Sequence, residues 1–260
     1  MQVRPKKYLG QHFLKDKDIA LQIVNALSMV EEADKVIEIG PGTGILTHSL
    51  IEKYGNKLIM IDIDPESVNY LNKKYPGYGS NIIHGDFLAM EIKSLCSGKI
   101  GIIGNFPFNI SSQILFKIHA NRDKIIEVVG MVQKEVGERI SARPGSKSYG
   151  ILSVLLSAYY DIEYLFTVEP EVFHPPPKVR SSVLHLTRNY TDHLDCDEQF
   201  FVKIVKLGFQ NRRKTLRNAL KAINLPEKIL KLDILSQRAE QLSVNEFVEL
   251  TMKIVLNWKN

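Results

Sequence analysis

The feature that most constrains this 260-residue chain is a regular alternation between residues 35 and 132. Short apolar runs typical of buried strands follow one another there, separated by turns and by stretches with helical spacing. The predicted strands cover residues 35–39, 57–63, 81–86, 99–104 and 125–132. Because strands that alternate with helices run in the same direction, the pattern predicts a parallel, doubly wound α/β sheet.

The pattern changes toward the end of the chain. Two further strands, at 160–168 and 182–188, are predicted to form an antiparallel hairpin at the sheet edge. Only helical patterns follow residue 189. We therefore predict an α/β domain at 1–189 and a small all-α domain at 190–260.

Two segments are expected to form no regular element. Residues 1–15 are basic, short and irregular, and residues 173–180 contain three prolines, which remove backbone donors. Between them in the chain, Asp16 or Asp18 is expected to cap a helix.

Composition excludes several classes of protein. The formal net charge is +5, which is compatible with a polyanionic partner. The two cysteines, Cys96 and Cys196, are too few for a zinc site and indicate a reducing, cytoplasmic location, so no metal is expected. No apolar run reaches the roughly 18–20 residues of a membrane span, and the first residues lack the apolar stretch of a signal peptide.

A glycine-rich turn, residues 38–44, joins the first strand to a helix. Glycines there allow a ligand to approach the backbone closely. Asp62 ends the second strand about twenty residues later, where an acid can accept both hydroxyls of a ribose. Ile45 stands where the dinucleotide fingerprint requires a third glycine. The turn instead resembles motif I of the S-adenosylmethionine-dependent methyltransferases, with Glu38 either near the cofactor's cationic end or a buried structural acid.

Two further strand ends carry groups suited to adenine. Asp86, at the end of the third strand, can accept a hydrogen bond from an adenine amine. The fourth strand leads into Asn105, Phe106, Pro107 and Phe108. These residues resemble the (Asn/Asp/Ser)-Pro-Pro-(Tyr/Phe) motif of amino-methyltransferases. The resemblance implies that the Asn105 side-chain oxygen and the Phe106 carbonyl each accept one N6 hydrogen of a target adenine, while Phe108 stacks on the base. Such a site needs positioning and fixed dipoles rather than an acid or a base.

Ordered motifs along nearly the whole chain resemble those of the KsgA family, the 16S rRNA adenine N6,N6-dimethyltransferases. They lie at residues 7–14, 38–44, 84–86, 105–111, 173–181 and 209–217. The resemblance implies a Rossmann-like class I fold, S-adenosylmethionine as cofactor, and a substrate of two adjacent adenosines in a hairpin loop near the 3′ end of 16S rRNA, within the immature small subunit. It also implies that Asn105 is the catalytic amide. The implied cofactor contacts are His12, Leu14, Gly40, Asp62, Asp86 and Asn105.

The sequence departs from the family pattern at three places. His12 stands where the family often has Asn, and Asp62 where it usually has Glu. The family's Asn-Leu-Pro-Tyr is Asn-Phe-Pro-Phe here, so Phe108 keeps a stacking face and lacks the hydroxyl.

Other residues are predicted to contact RNA. Phe173, beside the triple proline, is a candidate for the second wall around the target base. A basic run without acids is predicted to lie on a helix, with Arg213, Arg217 and Lys221 on one face. The run comprises Arg212, Arg213, Lys214, Arg217 and Lys221, and a second basic group comprises Lys134, Arg139, Arg143 and Lys147. Because a target base must be unstacked, a loop is a better substrate than a duplex.

Three alternatives remain beside a small-subunit rRNA dimethyltransferase, which we expect to be monomeric. An Erm-like large-subunit enzyme would share the cofactor motifs and the Asn-x-Pro-aromatic motif, but the triple-proline loop and basic run favour the small-subunit enzyme. The intact glycine turn, strand-end acids and Asn105 argue against a catalytically silent assembly factor. The missing third glycine argues against an NAD-dependent oxidoreductase.

Overall fold

The computed structural model of the protein describes residues 3–28 and 32–258. Its internal contacts divide the chain into two compact units. Residues 1–137 and 161–188 make up the first unit, and residues 138–160 and 189–260 make up the second. The chain thus crosses between the units three times. One crossing lies at the predicted boundary near residue 189, and the other two lie inside the predicted α/β domain.

Strands in the described residues form one large and one small sheet. They are β1 (Phe13–Leu14), β2 (Lys35–Ile39), β3 (Leu58–Asp62), β4 (Ile82–His84), β5 (Ile100–Asn105), β6 (Ile125–Gln133), β7 (Tyr160–Val168), β8 (Phe173–His174) and β9 (Ser181–Arg188).

Helices connect the strands and make up the rest of the regular structure. The α-helices are α1 (Lys17–Ala26), α2 (Thr47–Tyr54), α3 (Pro65–Lys74), α4 (Ile92–Leu95), α5 (Ser111–Ala120), α6 (Lys134–Ile140), α7 (Ile151–Ser157), α8 (Glu198–Gln210), α9 (Leu216–Ala219), α10 (Glu227–Leu230) and α11 (Val244–Trp258). Short 3-10 helices lie at Lys7–Leu9, Gly55–Lys57, Pro76–Asn81, Pro170–Val172, Leu220–Ile223, Asp233–Ser236 and Ala239–Gln241.

The large sheet has seven strands in the order β4-β3-β2-β5-β6-β9-β7. β2 runs parallel to β3 and β5, and the parallel pairing continues to β4 on one side and β6 on the other. β9 runs antiparallel to β6, and β7 is the edge strand beside it. Buried on both faces, the central strands are almost continuously apolar. The predicted α/β fold with a reversed edge is confirmed.

A second, two-stranded sheet joins the two segments that were expected to be irregular. β1 pairs antiparallel with β8, with Leu14 opposite Phe173. Both side chains are buried in the hydrophobic core of the first unit. The prediction that neither segment forms a regular element is therefore wrong, because a two-residue ladder depends on partners distant in sequence rather than on local propensity.

Between residue 189 and the last described residue, 258, the regular elements of the second unit are all helices, as predicted. Its core includes Phe201, Ile204, Phe247 and Leu250, all fully buried. Glu246 accepts a hydrogen bond from the Ser243 backbone amide, and the Glu246 amide donates to the Ser243 hydroxyl, so the two residues form a capping box before α11. Among the described residues, none of the helices is both long enough and apolar enough to cross a membrane.

The predicted helix carrying the basic run is interrupted. α8 ends at Gln210, a turn follows in which the Lys214 amide donates to the Asn211 carbonyl, and α9 begins at Leu216. Leu216 is fully buried, and its amide donates to the Gln237 carbonyl. The prediction that Arg213, Arg217 and Lys221 share one helical face is therefore wrong, because a new helix begins within the run at the buried Leu216.

Candidate active site

A cleft opens where the parallel strands of the first unit end. Parallel strands bring their carboxyl ends to the same edge of the sheet, and ligand crevices of open α/β folds form there. The cleft brings together most of the predicted site residues, which are His12, Gly40, Asp62, Asp86, Asn105, Phe106 and Phe108.

The glycine turn has the backbone conformation that its sequence predicts. Gly40, Gly42 and Gly44 all have positive φ angles, of 66°, 55° and 75°. A Cβ atom on Gly42 would lie 2.7 Å from the ring of Phe13. Glycine is therefore required at position 42 by both backbone conformation and packing.

Asp62 is buried at the end of β3, and the backbone fixes its carboxylate. One oxygen accepts from the Gly42 amide at 3.0 Å and the other from the Asp64 amide at 2.9 Å. Burial raises the pKa of Asp62, and these two hydrogen bonds oppose that effect. Each carboxylate oxygen retains a lone pair for a second donor, so the carboxylate can still accept hydroxyl groups from the cleft.

Glu38 is buried beneath the glycine turn and does not line the cleft. Thr47 donates its hydroxyl to Glu38 Oε2 at 2.7 Å, which ties the first helical residue of α2 to β2. Burial raises the pKa of Glu38 to about 8, although the Thr47 hydrogen bond acts to lower it. The structure thus favours the buried structural acid over a direct contact with a cofactor.

Asp86 is exposed at the mouth of the cleft. Its Oδ1 accepts from the Leu88 amide at 2.8 Å, so this carboxylate also shapes the following turn.

Lys117, on α5, donates to the carbonyls of Leu88, at 2.9 Å, and Met90. Its Nζ lies 5.2 Å from the centre of the Phe87 ring, which lines the cleft. Sequence reasoning missed Lys117, although a lysine within the apolar stretch of α5 was a usable signal.

Asn105 ends β5 with its amide group held in one orientation. Its Nδ2 donates to the carbonyl of His12 at 2.8 Å, which leaves Oδ1 as the acceptor. The next residue, Phe106, donates its backbone amide to Met131 and buries its ring. A Cβ atom on Gly130 would lie 2.5 Å from that ring. The Phe106 ring therefore belongs to the core, and the role of its carbonyl stays a prediction.

Phe108 is half-buried and forms one wall of the cleft. Its ring centroid lies 5.2 Å from that of His12, with the planes inclined by 33°. His12 Nδ1 lies 2.8 Å from the Pro175 carbonyl oxygen. Phe108 and His12 also border a neighbouring groove lined by Pro175, Pro176 and Pro177. The three prolines were predicted only to form a loop, and their place beside Phe108 and His12 was not predicted.

Leu14 and Phe173, predicted to contact the cofactor and the target base, do not line the cleft. The Leu14 side chain is 3% exposed and packs in the core. Phe173 is 1% exposed in the same core, so it cannot stack on a base in this conformation. The prediction that Phe173 forms the second wall is corrected by the structure, because pairing of β1 with β8 turns its ring inward; His12 and the prolines face Phe108 instead.

The predicted RNA-binding cations lie in the second unit. Arg212 donates to the carbonyl of Tyr149, and Arg217 donates to that of Leu230. Arg213 and Lys214 are exposed in the turn between α8 and α9. Two of the four cations thus also fix local backbone, which the sequence did not reveal.

The arrangement of the first unit defines a class I methyltransferase fold. A solved dimethyladenosine transferase from Plasmodium falciparum shares it with a TM-score of 0.79 and 26% identity, over 95% of this chain and 98% of that chain. The 23S rRNA methyltransferase ErmE has the same fold, with a TM-score of 0.67 and 23% identity, over 92% of this chain and 99% of that chain.

Sequence comparison narrows the class to one family. The family model described as ribosomal RNA adenine dimethylase matches residues 3–255. Two relatives bear the name ribosomal RNA small subunit methyltransferase A: that of Cytophaga hutchinsonii is 54% identical over 96% of both chains, and that of Flavobacterium johnsoniae is 53% identical over 97% of this chain and 96% of its own. The chain belongs to the ribosomal RNA adenine dimethylase family, which confirms the resemblance found in its motifs.

Proposed function

We propose that this protein transfers methyl groups from S-adenosylmethionine to N6 of two adjacent adenosines in a hairpin loop near the 3′ end of 16S rRNA. The product is N6,N6-dimethyladenosine, formed during assembly of the small ribosomal subunit. One observation carries the proposal: Asn105 sits at a strand end with its amide nitrogen engaged by His12, so that an oriented acceptor faces the cleft.

The cleft residues fit S-adenosylmethionine. Gly40 and Gly42 line the cleft without side chains, which allows a ligand to approach their backbone closely. Asp62 supplies fixed carboxylate oxygens for the ribose hydroxyls, and Asp86 with Phe87 suits the adenine. When bound, the cofactor supplies a methyl group on a positively charged sulfur.

The remaining chemistry belongs to the protein. The N6 lone pair of adenine is delocalised into the ring, which makes this nitrogen a poor nucleophile. In the first transfer, Asn105 Oδ1 and the Phe106 carbonyl would each accept one N6 hydrogen, which favours tetrahedral nitrogen and exposes the lone pair; in the second, one hydrogen remains for one of them. For each methyl group gained, N6 loses one proton to solvent and the donor sulfur leaves as a neutral thioether. Both acceptors are fixed before the substrate arrives, so little reorganisation is needed during the reaction. Stacking on Phe108 contributes about 1–3 kcal/mol to holding the base.

The RNA substrate is assigned from chemistry as well as from the family. A base must leave its stack to reach Asn105, which favours a single-stranded loop. The exposed cations Arg213 and Lys214 suit phosphate contacts. The further assignments belong to this proposal: catalysis in residues 1–189, RNA binding in residues 190–260, and a monomer acting in the cytoplasm without a membrane partner.

Labelled S-adenosylmethionine tests this function. The protein is incubated with unmethylated small ribosomal subunits, with naked 16S rRNA and, as the matched control, with naked large-subunit rRNA. We expect label only on small-subunit RNA, at two adjacent adenosines. Label on large-subunit rRNA alone would identify an Erm-like enzyme, and an absence of transfer to any RNA would favour an assembly factor.

A further inference from the structure

A buried carboxylate lies two residues beyond the ribose acid and outside the set of residues that line the cleft. Asp64 is 0% exposed. Its Oδ1 accepts from Lys6 Nζ at 2.5 Å and from the Glu66 amide at 2.9 Å, and its Oδ2 accepts from Gln11 Nε2 at 3.1 Å. Two of these three donors come from the segment at residues 6–12, which we call the N-terminal strap.

The N-terminal strap connects this carboxylate to the catalytic amide. The Gln11 side-chain oxygen accepts from the Lys6 backbone amide at 2.8 Å, so both ends of the Gln11 amide are engaged. The next residue, His12, presents the carbonyl that accepts from Asn105 Nδ2 at 2.8 Å. The position of this carbonyl decides which way the Asn105 amide faces.

Asp64 also contacts the predicted ribose acid. Its backbone amide donates to Asp62 Oδ1 at 2.9 Å, and the other Asp62 oxygen accepts from Gly42. One residue therefore touches the glycine turn through Asp62 and the catalytic amide through the N-terminal strap.

The charges agree with this arrangement. Burial acts to raise the pKa of Asp64, but the hydrogen bonds from Lys6 and Gln11 outweigh it and hold the pKa below its ordinary value. The same pairing raises the pKa of Lys6, whose Nζ also lies 3.3 Å from Glu66. Removing one of these donors would leave part of the buried Asp64 charge unpaired, which is unfavourable. The donors therefore hold the Asp64 carboxylate in a fixed position.

We propose that Asp64 is a positioning residue for methyl transfer, which holds the N-terminal strap across the cleft so that His12 orients Asn105. The inference rests on the proposed function of Asn105. The competing explanation is that Asp64 only caps α3 through the Glu66 amide. Asparagine caps a helix about as well as aspartate, so Asp64→Asn separates the two explanations.

The experiment compares Asp64→Asn with Asp197→Asn in the full-length protein. Asp197 caps α8 by accepting from the Phe200 amide, so the same chemical change is made at a second helix start. We expect Asp64→Asn to lower kcat for RNA methylation by about 10- to 100-fold, as small misplacements of catalytic groups do. Amide hydrogen exchange in residues 6–12 should become faster in Asp64→Asn and stay unchanged in Asp197→Asn.

A second variant protects the test against a loss of folding. Gln11→Ala removes a donor to Asp64 without touching the α3 cap, and it should reproduce the faster exchange and part of the loss in kcat. The double variant should lose no more activity than Asp64→Asn alone, because both act through one network. Additive effects, or unchanged exchange in residues 6–12, would overturn the inference.

The exchange measurement also separates this inference from the proposed function. It needs no RNA and is made with and without S-adenosylhomocysteine. If the wild-type protein methylates no RNA, the proposed function fails while the exchange result still decides whether Asp64 holds the N-terminal strap. If the wild type is active but Asp64→Asn matches Asp197→Asn in kcat and in exchange, only the inference about Asp64 fails.

Discussion

At the scale of single residues, the site consists of acceptors whose orientation the backbone determines. Asn105 donates to the His12 carbonyl, and Asp62 accepts from the amides of Gly42 and Asp64. Residue type and position at a strand end were sufficient to predict that Asn105 and Asp62 lie at the cleft, and their roles there stay predictions. It could not identify their partners, which come from other segments of the chain.

Asn105→Ala should lower kcat for methyl transfer by at least about 100-fold, because one of two preorganised acceptors is lost. Affinity for S-adenosylhomocysteine, measured by calorimetry, should change only a few-fold. Asn72→Ala is the control, since it removes an amide that bonds only within α3, to the Val68 carbonyl. Activity close to wild type in Asn105→Ala would refute the assigned role.

Glu38 predicts a pH dependence of stability. Burial raises the pKa of Glu38 to about 8. At pH values between the ordinary carboxyl pKa and about 8, Glu38 is therefore protonated in the folded protein and ionised in the unfolded protein. Stability should therefore fall as pH rises from the ordinary carboxyl range to about 8. Glu38→Gln keeps the shape of the neutral form and should show a smaller decline of Tm over this range. Equal declines in the two proteins would contradict this prediction, whatever other groups titrate.

At the scale of elements, strand prediction succeeded where burial is continuous and failed where pairing is distant. β2, β5 and β6 lie within a residue or so of their predicted bounds, because each is a buried apolar run. The pairing of β1 with β8 was missed, since residues 13 and 174 are far apart in the chain. The interrupted basic run was missed for the same reason, because the buried position of Leu216 is a tertiary effect.

The contact between β1 and the glycine turn gives a prediction at this scale. Gly42→Ala should weaken binding of S-adenosylhomocysteine and reduce stability by about 1–2 kcal/mol, because alanine is strained at positive φ and its Cβ meets Phe13. Gly77→Ala is the control, since no atom lies within 4 Å of a Cβ there. Denaturant unfolding and calorimetry measure both effects. If Gly42→Ala has the same stability and the same affinity for S-adenosylhomocysteine as Gly77→Ala, the close packing on Phe13 is unimportant.

At the scale of the whole molecule, the formal net charge of +5 identifies a class of partner but no binding surface. The basic run at 212–217 looked uniform in the sequence, yet its members differ in the structure. All four side chains are exposed, but Arg212 and Arg217 donate to backbone carbonyls, whereas Arg213 and Lys214 lie in the turn between α8 and α9. Arg213 and Lys214 are therefore better suited to phosphates, and the other two have a structural role as well.

This difference predicts which charges determine the salt dependence of binding. Replacing Arg213 and Lys214 together by glutamine should weaken binding to small subunits and reduce the slope of log K against log salt by about 1–2, if each contacts one phosphate. The control replaces Lys228 and Lys231 by glutamine, which removes the same charge from exposed positions of the same unit. Filter binding at several salt concentrations measures both slopes. Equal changes in the two double variants would mean that net charge, rather than the turn between α8 and α9, governs affinity for RNA.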